Sequence, residues 1–285
     1  MTLGVTIDQL CAAREEGRAV VAAVAYDTVG LEAIVAAGEQ TGQPVIAQVG
    51  SSAFGHIDRD ALIAAAMNLA HTSEVPVGVH LDHARELDEI NYCLDAGYSS
   101  VMIDGSRLAF ADNVQLSRQA VVAAGPYGAW VEAELGHIAG DEDRSTGIGA
   151  GTLTDPGQAA TFVTETGVDA LAVCIGNVHG RTRRPPALDL GLLAEIASAT
   201  SVPLVLHGAS GIPPDTIAEA VTLGIAKLNI NADLRAAYLD AVAHHHAQDE
   251  TGDDLPGALV AARDAVSAQL TDIISRYGGG TGLSP

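Results

Sequence analysis

Short apolar runs recur eight times along the chain, and helical patterns lie between them. The runs, each typical of a buried strand, are VVAAVAY at 20–26, PVIAQVG at 44–50, VPVGVHLDH at 75–83, SSVMIDGS at 99–106, GAWVEAELG at 128–136, DALAVCIG at 169–176, PLVLHG at 203–208 and IAKLNIN at 225–231. Alternation of strand and helix implies parallel pairing, and strands that are apolar throughout are buried on both faces. The pattern therefore predicts an α/β fold, a closed (β/α)8 TIM barrel.

The length of the chain suits one such barrel with a short extension. Its 285 residues, 48% of them hydrophobic, can form one large core, so residues 1–285 are predicted to be a single domain. Helical patterns such as 31–42 and 215–224 close on a glycine, as helices commonly do. The polar segment 248–257 precedes a last helical pattern at 257–279. We expect a C-terminal helical appendage from about residue 250.

Charge and composition narrow the partners and the compartment. With 14 basic and 36 acidic side chains the formal charge is −22, and no cluster of Lys or Arg could neutralise a run of phosphates. Nucleic acid is therefore excluded as an expected partner. Three scattered cysteines do not form a disulfide framework, and neither a signal peptide nor an apolar run long enough to span a bilayer is present. The sequence predicts a cytoplasmic protein without a membrane partner.

Histidines follow three different predicted strands. His83 and His207 lie at the ends of the third and seventh runs, and His179 follows the sixth. In a TIM barrel the C-terminal ends of the strands form the active-site face. One such histidine alone would be typical of a hydrogen-bonded core or rim residue. Three imidazoles on one face, with an open coordination position, favour a catalytic Zn²⁺ site. His80, on the same strand as His83, is predicted to be a buried, hydrogen-bonded residue outside the metal set.

Carboxylates adjoin this predicted metal site. Asp82 precedes His83, so it could orient a ligand or donate a proton to substrate. Glu134, Glu142 and Asp143 lead from the fifth strand into a glycine-rich loop. Such a loop is usually only a mobile surface loop. Here it leaves the catalytic rim, where a lid with a carboxylate could close over substrate as a general base.

The seventh and eighth strands are followed by a candidate phosphate site. HGASG at 207–211 and NIN at 229–231 occupy the positions where this fold usually binds phosphate through backbone N–H groups. Lys227 is the one lysine of the chain, and it lies inside the eighth strand. A structural ion pair is the favoured interpretation of Lys227, ahead of a Schiff base. The tract at 244–246 is interpreted as solvated histidines on a polar helix.

Taken together, these motifs resemble the class II, zinc-dependent fructose-bisphosphate and tagatose-bisphosphate aldolase family over nearly the whole chain. The motifs occur in order as HLDH at 80–83, MIDGS at 102–106, VEAELG with GDED between 131 and 143, TDP at 154–156, GVDALAVCIGNVHG at 167–180, PLVLHGASGIP at 203–213 and GIAKLNINADL at 224–234. The resemblance implies reversible cleavage of a ketose 1,6-bisphosphate, or a related ketose 1-phosphate, to dihydroxyacetone phosphate and an aldehyde.

The resemblance also assigns roles to residues. It implies Zn²⁺ on the three histidines, Glu142 as the group that moves the proton at dihydroxyacetone phosphate, and Asp82 as the group that serves the aldehyde oxygen. Asp104 and Glu134 match an alternate metal position. The residues that match the phosphate and monovalent-cation region are Gly180, Gly208, Ala209, Ser210, Asn229, Ile230, Asn231 and Ala232. A homodimer or homotetramer is expected on the same basis.

Several positions depart from the family pattern and predict an altered substrate shell. Asp27 stands where asparagine is usual, Gly50 where serine is usual, and Ala232 where threonine is usual, while the segment 181–184 reads Arg-Thr-Arg-Arg. A carboxylate at Asp27 is expected to repel a second phosphate. Three alternatives stay open: a Schiff-base aldolase that uses Lys227, a metal-dependent hydrolase on the same barrel, and a non-catalytic barrel that binds a phosphorylated ligand. Against the hydrolase alternative, the first predicted strand of this chain lacks the HxH motif that is usual in such enzymes.

Overall fold

A closed barrel of eight parallel strands forms the centre of the molecule. The computed structural model describes residues 4–141, 144, 151–182 and 186–279. Each strand pairs with the next along the chain, and the last pairs with the first. The strands are β1 Val20–Val24, β2 Val45–Gln48, β3 Val77–Ala84, β4 Ser100–Ile103, β5 Trp130–Leu135, β6 Ala170–Val173, β7 Leu204–Leu206 and β8 Ile225–Ile230. The predicted TIM barrel is confirmed.

Helices surround the barrel and connect its strands. They are α1 Ile7–Glu15, α2 Thr28–Thr41, α3 Ser51–Phe54, α4 Arg59–Thr72, α5 Leu87–Asp95, α6 Phe110–Ala124, α7 Pro156–Thr166, α8 Leu190–Ala199, α9 Pro214–Thr222, α10 Ala232–Gln248 and α11 Leu255–Tyr277. Helix α2 shows how local sequence sets the boundaries: the Asp27 carboxylate accepts the backbone N–H of Gly30 at 2.8 Å, and Gly42 ends the helix in the left-handed region.

The N-terminal mouth of the barrel is closed by α1. Leu10 and Ala13 of this helix are fully buried against the apolar interior of the barrel. The indole Nε1 of Trp130 donates to the backbone oxygen of Val5 at 2.9 Å, and the Arg14 guanidinium donates to backbone oxygens that follow α8, including that of Thr200. Because this end is packed and hydrogen-bonded, the opposite end of the barrel is the one that can admit a ligand.

The C-terminal helix α11 belongs to the outer layer of the barrel. It packs against α2 and α10, and it buries Leu270 and Ile274. The backbone N–H of Ala19, just before β1, donates to the Tyr277 oxygen at 2.8 Å. The predicted C-terminal helix is thus present, and it packs on the outside of the barrel. In the described part of the chain no helix has the length and apolarity needed to cross a membrane.

The sixth strand ends earlier than the sequence pattern indicates. Strand β6 stops at Val173, and His179 lies on a separate two-residue strand, Val178–His179, which pairs in parallel with Ala139–Gly140. The Asn177 side chain explains the break, because it accepts the N–H of Ile175 at 2.8 Å and donates to the oxygens of Val173 and His207. These bonds turn the chain inward and carry His179 over the barrel mouth.

Candidate active site

The three predicted metal-binding histidines converge at the C-terminal mouth of the barrel. Their ring centroids lie 4.8 to 5.8 Å apart, and one nitrogen from each ring lies within 4.8 Å of the others. His83 comes from β3, His179 from the short strand and His207 from the residue after β7. Three residues far apart in sequence thus lie in one cluster that could hold a divalent ion.

The orientation of two of these rings fits a bound cation. His207 Nε2 lies 2.7 Å from Glu132 Oε1, and His83 Nδ1 lies 3.3 Å from Asp104 Oδ2. Each ring can donate its N–H to its own neighbouring carboxylate. The other nitrogens, His83 Nε2 and His207 Nδ1, then each have a lone pair, and they face each other at 3.0 Å. Two lone pairs at this distance repel unless a proton or a cation lies between or beside them. The donor set is therefore suited to a metal ion.

Burial favours the neutral form of His179 and His207, which is the form that binds metal. Burial, with a smaller contribution from His83, lowers the pKa of His179 to about 3. Burial also lowers the pKa of His207, although the hydrogen bond to Glu132 acts in the opposite direction. Desolvation of these two rings thus lessens the competition between a proton and a metal ion for their nitrogens.

Backbone geometry holds two of the ligands in place. His83 has a φ of 50°, the one positive φ of a non-glycine residue in the described part of the chain. Such strain is commonly found where a side chain must be aimed at a functional site. Two glycines pack closely against the short strand that contains His179. If Gly140 had a Cβ, that atom would lie 2.4 Å from the backbone oxygen of His179, and a Cβ at Gly208 would lie 2.0 Å from the backbone oxygen of Val178. Glycine is required at both positions.

A second possible metal group shares His83. Oxygens of Asp104 and Glu134 lie within 4.8 Å of a His83 nitrogen and of each other. Burial would raise the pKa of Asp104, but hydrogen bonds from His83 and Ser106 outweigh this effect and lower it. Burial raises the pKa of Glu134 to about 7, and the nearby Asp104 charge adds to the rise. The structure thus brings together the two residues that the sequence assigned to an alternate position.

A buried ion pair, whose carboxylate partner the sequence does not identify, supports His207. Glu132 accepts from Lys227 Nζ at 2.8 Å through Oε2, while its Oε1 faces His207. Burial would raise the pKa of Glu132, but Lys227 and His207 outweigh burial and lower it, so the carboxylate is ionised. Lys227 also donates to Asn229 Oδ1 at 2.8 Å. The predicted structural ion pair of Lys227 is confirmed, and its partner is the carboxylate that orients a candidate metal ligand.

Asp82 is fixed beside the histidine cluster by two amides. Its Oδ1 accepts from Gln48 Nε2 at 2.8 Å and from Asn229 Nδ2 at 3.4 Å. The same Asn229 nitrogen lies 3.2 Å from His207 Nδ1. Asp82 is 7% exposed. His80 is buried with its Nδ1 2.8 Å from Ser100 Oγ, outside the cluster as predicted.

Several of the predicted phosphate residues lie beside the His179 strand and the N-terminus of α10. Gly208, with a φ of 61°, contacts Val178, and Ser210 Oγ accepts the N–H of Asp233 in the first turn of α10. The amide of Asn231 bonds to the hydroxyl of Tyr26. These residues surround the N-terminus of α10, a position that favours an anion. Arg181 is half-exposed there and binds the Asp233 carboxylate at 2.8 Å.

The remaining residues that were predicted to bind phosphate, apart from Asn229, have no polar side chain. Gly180, with a φ of 80°, follows the His179 strand, and Ala209 is buried between Gly208 and Ser210. Ile230 is the buried last residue of β8, and Ala232 is the buried first residue of α10. Ala232 contributes no hydroxyl group to the helix N-terminus. Among the predicted residues, hydrogen bonds to a phosphate would therefore come from backbone N–H groups and from the side chains of Ser210 and Asn231.

A cavity of about 680 Å³ opens from the metal cluster to the surface. Its lining residues are Ser51, Ser52, His83, Arg85, Glu86, Glu89, Asp104, Arg107, Glu134, His137, Ile138, Gly140, Asp141 and His179. None of the predicted phosphate residues is among them. The sequence analysis also missed Arg85, two residues after the motif HLDH, and Arg107, the residue directly after MIDGS.

Three further positions that the sequence analysis singled out are Asp27, Gly50 and Glu142. The Asp27 carboxylate caps α2 and accepts Tyr238 OH at 2.8 Å, and it lines a separate cavity of about 330 Å³, so the geometry gives no support to repulsion of a substrate phosphate in the metal cavity. At Gly50 a Cβ would lie 2.8 Å from the oxygen of Asp82, which explains the absence of serine. Glu142, the predicted proton-transfer residue, lies outside the described residues, as does Asp143.

Comparison with known proteins agrees with this geometry. The family model for fructose-bisphosphate aldolase class-II matches residues 5–279. The YdjI aldolase of Escherichia coli K12 is 32% identical, with a TM-score of 0.87 over 99% of this chain and 100% of that one. A candidate fructose-1,6-bisphosphate aldolase of Coccidioides immitis is 28% identical, with a TM-score of 0.87 over 96% of each chain. The fructose-bisphosphate aldolase of Campylobacter jejuni, 21% identical, shares the fold with a TM-score of 0.81 over 97% of this chain and 96% of that one. The chain belongs to the class II fructose-bisphosphate aldolase family, an aldolase lyase family that generally depends on a metal and acts on phosphorylated sugars.

Proposed function

We propose that the protein is a zinc-dependent aldolase that reversibly cleaves a ketose 1,6-bisphosphate, or a related ketose 1-phosphate, to dihydroxyacetone phosphate and an aldehyde. The supporting observation is the pair of histidine nitrogens, on His83 and His207, that face each other at 3.0 Å while each ring is oriented by a carboxylate. His83, His179 and His207 would hold Zn²⁺. When bound, Zn²⁺ supplies a Lewis acid that polarises the substrate ketone.

Asp82 is the proposed base for the cleaved hydroxyl group. In cleavage the substrate hydroxyl loses its proton and becomes the aldehyde oxygen, so a carboxylate beside His83 can accept that proton. Gln48 and Asn229 hold Asp82 Oδ1 and fix the direction of the carboxyl group. In condensation the same group returns the proton. Because these amides bind one oxygen of Asp82, the geometry is set before substrate arrives.

Glu142 is the proposed carboxylate that moves the proton at the carbon of dihydroxyacetone phosphate, by resemblance to the family. The phosphate of this substrate would bind at Gly180, Gly208, Ser210 and Asn231, close to the N-terminus of α10. That helix end and its backbone N–H groups provide the local positive potential that a protein of charge −22 needs in order to hold an anion. Alternate metal binding at Asp104 and Glu134 is part of the proposal, as is a monovalent cation near the phosphate.

A Schiff-base mechanism has no support in this geometry. Lys227 is the only lysine, its side chain is fully buried, and it is bound to Glu132 and Asn229 inside the barrel. A Schiff base requires a neutral amine that can reach the substrate carbonyl. Lys227 does not line the metal cavity. Its position is that of a structural cation.

Exchange of the carbon-bound hydrogen of dihydroxyacetone phosphate with deuterium oxide tests the proposal without any assumption about the aldehyde. We expect chelated protein to lose exchange and added Zn²⁺ to restore it. His179→Ala should lower the zinc-restored rate at least ~100-fold, because a ligand is lost. The matched control is His244→Ala, which removes an exposed histidine on α10. Exchange that survives chelation, or zinc binding without exchange, would contradict the proposed function.

A further inference from the structure

The N-terminus of α10 has a capping residue that does not cap. In five other helices of the described chain, an aspartate at the N-cap accepts the backbone N–H three residues further on. Asn231 is the N-cap of α10, and asparagine caps helices as well as aspartate does. Its side chain nevertheless forms no hydrogen bond to the helix. The five helices that do have such a cap begin after Asp27, Asp58, Asp155, Asp189 and Asp254.

A tyrosine beyond the end of β1 holds the Asn231 side chain instead. Asn231 Nδ2 donates to the hydroxyl oxygen of Tyr26 at 2.9 Å. Arg235 Nη1 donates to the same hydroxyl oxygen at 3.2 Å and to Asn231 Oδ1 at 3.3 Å. Because β1 pairs with β8 as far as Ala23 and Ile230, the two strand ends place Tyr26 beside Asn231. The oxygen that could cap the helix is thus turned towards Tyr26 and Arg235.

Burial makes these contacts important for the direction of the amide. Asn231 is 5% exposed, whereas Tyr26 and Arg235 are half-buried and line the cavity of about 330 Å³. A buried amide needs protein partners for its oxygen and nitrogen. The Asn231 oxygen has one obvious alternative, the N–H of Leu234, which corresponds to the donor that each aspartate cap uses. Loss of the Tyr26 hydroxyl would favour that alternative.

The same helix end is the proposed binding site for the phosphate of dihydroxyacetone phosphate. The N–H of Asp233 in the first turn already donates to Ser210 Oγ at 3.3 Å. The N–H groups of a helix N-terminus that have no partner within the helix are the donors that an anion uses. A side-chain cap on Leu234 would occupy one of them with the oxygen of Asn231. Capping by Asn231 and binding of a phosphate therefore compete for one helix end.

We propose that Tyr26 is a positioning residue for phosphate binding: its hydroxyl holds the Asn231 side chain away from the N-terminus of α10, which leaves the backbone donors of that helix to the substrate phosphate. This inference rests on the proposed aldolase function. Tyr26 acts through Asn231, and Arg235 supports it by donating to both side chains. The proposal explains why a strong capping residue stands at this helix end without capping it.

Tyr26→Phe, which removes the hydroxyl and keeps the ring, tests the proposal in the hydrogen exchange of dihydroxyacetone phosphate by the zinc-loaded protein. We expect KM to rise ~10-fold, because a self-capping Asn231 competes with the phosphate. The value of kcat should change less than about 3-fold, since Tyr26 lines a cavity other than that of the metal cluster. Tyr238→Phe is the matched control: its hydroxyl lines the same cavity as Tyr26 but donates to Asp27 Oδ2 at 2.8 Å. It should leave KM within about 2-fold of the wild-type value.

The background Asn231→Ala distinguishes positioning from a direct contact. Asn231→Ala itself should raise KM, but it removes the side chain that Tyr26 is proposed to hold. In this background Tyr26→Phe should raise KM by less than about 2-fold further, because no amide is left to fold back on the helix. A further rise of ~10-fold, as large as in the wild-type background, would mean that the hydroxyl acts on the ligand without Asn231 and would overturn the proposal.

Inorganic phosphate provides a second measurement that needs neither zinc nor catalysis. Calorimetric titration of the chelated protein should give a phosphate Kd about 10-fold higher for Tyr26→Phe than for the wild type, and an unchanged Kd for Tyr238→Phe. Unchanged KM and unchanged phosphate Kd in Tyr26→Phe, with normal exchange in the wild type, overturn the positioning role and leave the aldolase function in place. Absence of exchange in the zinc-loaded wild type, with phosphate binding that still depends on Tyr26, overturns the aldolase function and supports the positioning role.

Discussion

At the scale of single residues, the charge of Glu132 is the feature that most directly affects the metal ligands. Its carboxylate accepts from His207 and is neutralised by Lys227 in a fully buried pair. Glu132→Gln should weaken zinc binding about 10- to 100-fold, because the partner that orients and polarises His207 loses its charge. It should also lower the free energy of unfolding by about 3 to 5 kcal/mol, because Lys227 is left as an uncompensated buried cation. Competition with a chromophoric chelator and urea denaturation measure the two effects.

The double variant Glu132→Gln with Lys227→Met provides the control for that prediction. It removes both charges, so most of the unfolding free energy should return. Zinc affinity should stay low, because the ionised partner of His207 is still missing. Recovery of zinc affinity together with stability would show that Glu132 acts only on the fold.

Glu134 gives the metal-free protein a pH-dependent stability. Burial raises the pKa of this carboxyl from 4.5 to about 7, so the folded state binds its proton more tightly than the unfolded state does. The stability that the protonated form contributes is therefore lost as pH rises from about 4.5 to about 7. Glu134→Gln, which cannot ionise, should therefore be more stable than the wild type by roughly 3 kcal/mol above pH 7, with the difference vanishing near pH 4.5.

Urea denaturation of chelated protein between pH 5 and 8 checks this prediction. The control is Glu86→Gln, which removes an exposed carboxylate from the same rim and should give a small difference at all pH values. A stability difference between wild type and Glu134→Gln that does not change with pH would contradict the prediction.

At the scale of elements, the two-residue strand Val178–His179 determines whether the third ligand reaches the cluster. Gly208 contacts it so closely that a Cβ would lie 2.0 Å from the Val178 oxygen. Gly208→Ala should displace the strand and lower zinc affinity at least ~10-fold, as measured by chelator competition. Gly211→Ala is the matched control, because Gly211 also has a positive φ, of 79°, but no atom within 4 Å of an added Cβ. It should cost about 1 kcal/mol of stability and leave affinity unchanged. Equal loss of affinity in both variants would point to backbone strain alone.

The same element shows how far a sequence can predict this site. The barrel strands could be predicted because each is a continuous apolar run, and the histidines because polar residues at strand ends share one face. The short strand that contains His179 could not be predicted from the sequence, because it has only two residues, is positioned by the Asn177 side chain and gives no periodic pattern. The partnership of Glu132 with Lys227 spans 95 positions and depends on inward-facing residues of two strands. Sequence alone gives the types of those residues but not which side chains meet inside the barrel.

At the scale of the whole molecule, a metal ion at the histidine cluster would link distant parts of the chain. His83 and His207 are 124 positions apart, and their strands belong to opposite halves of the barrel order. These ligands meet only in the folded protein, so zinc should stabilise the folded state and not the unfolded chain. At a free zinc concentration about 100 times the dissociation constant, the gain is roughly 2.7 kcal/mol, which corresponds to a rise of about 5 °C or more in the melting temperature.

The net charge of −22 requires a control for this prediction, because any divalent cation will also screen the repulsion among the surface carboxylates. His207→Ala keeps the surface charge and removes one ligand, so its melting temperature should rise with zinc by no more than about 1 °C. His244→Ala, which removes a surface histidine, should retain the full zinc-dependent rise. Thermal denaturation of the three proteins, chelated and zinc-loaded at matched ionic strength, is the measurement. An equal rise in His207→Ala and wild type would mean that zinc acts through the surface charge and not through the cluster that joins the two halves of the barrel.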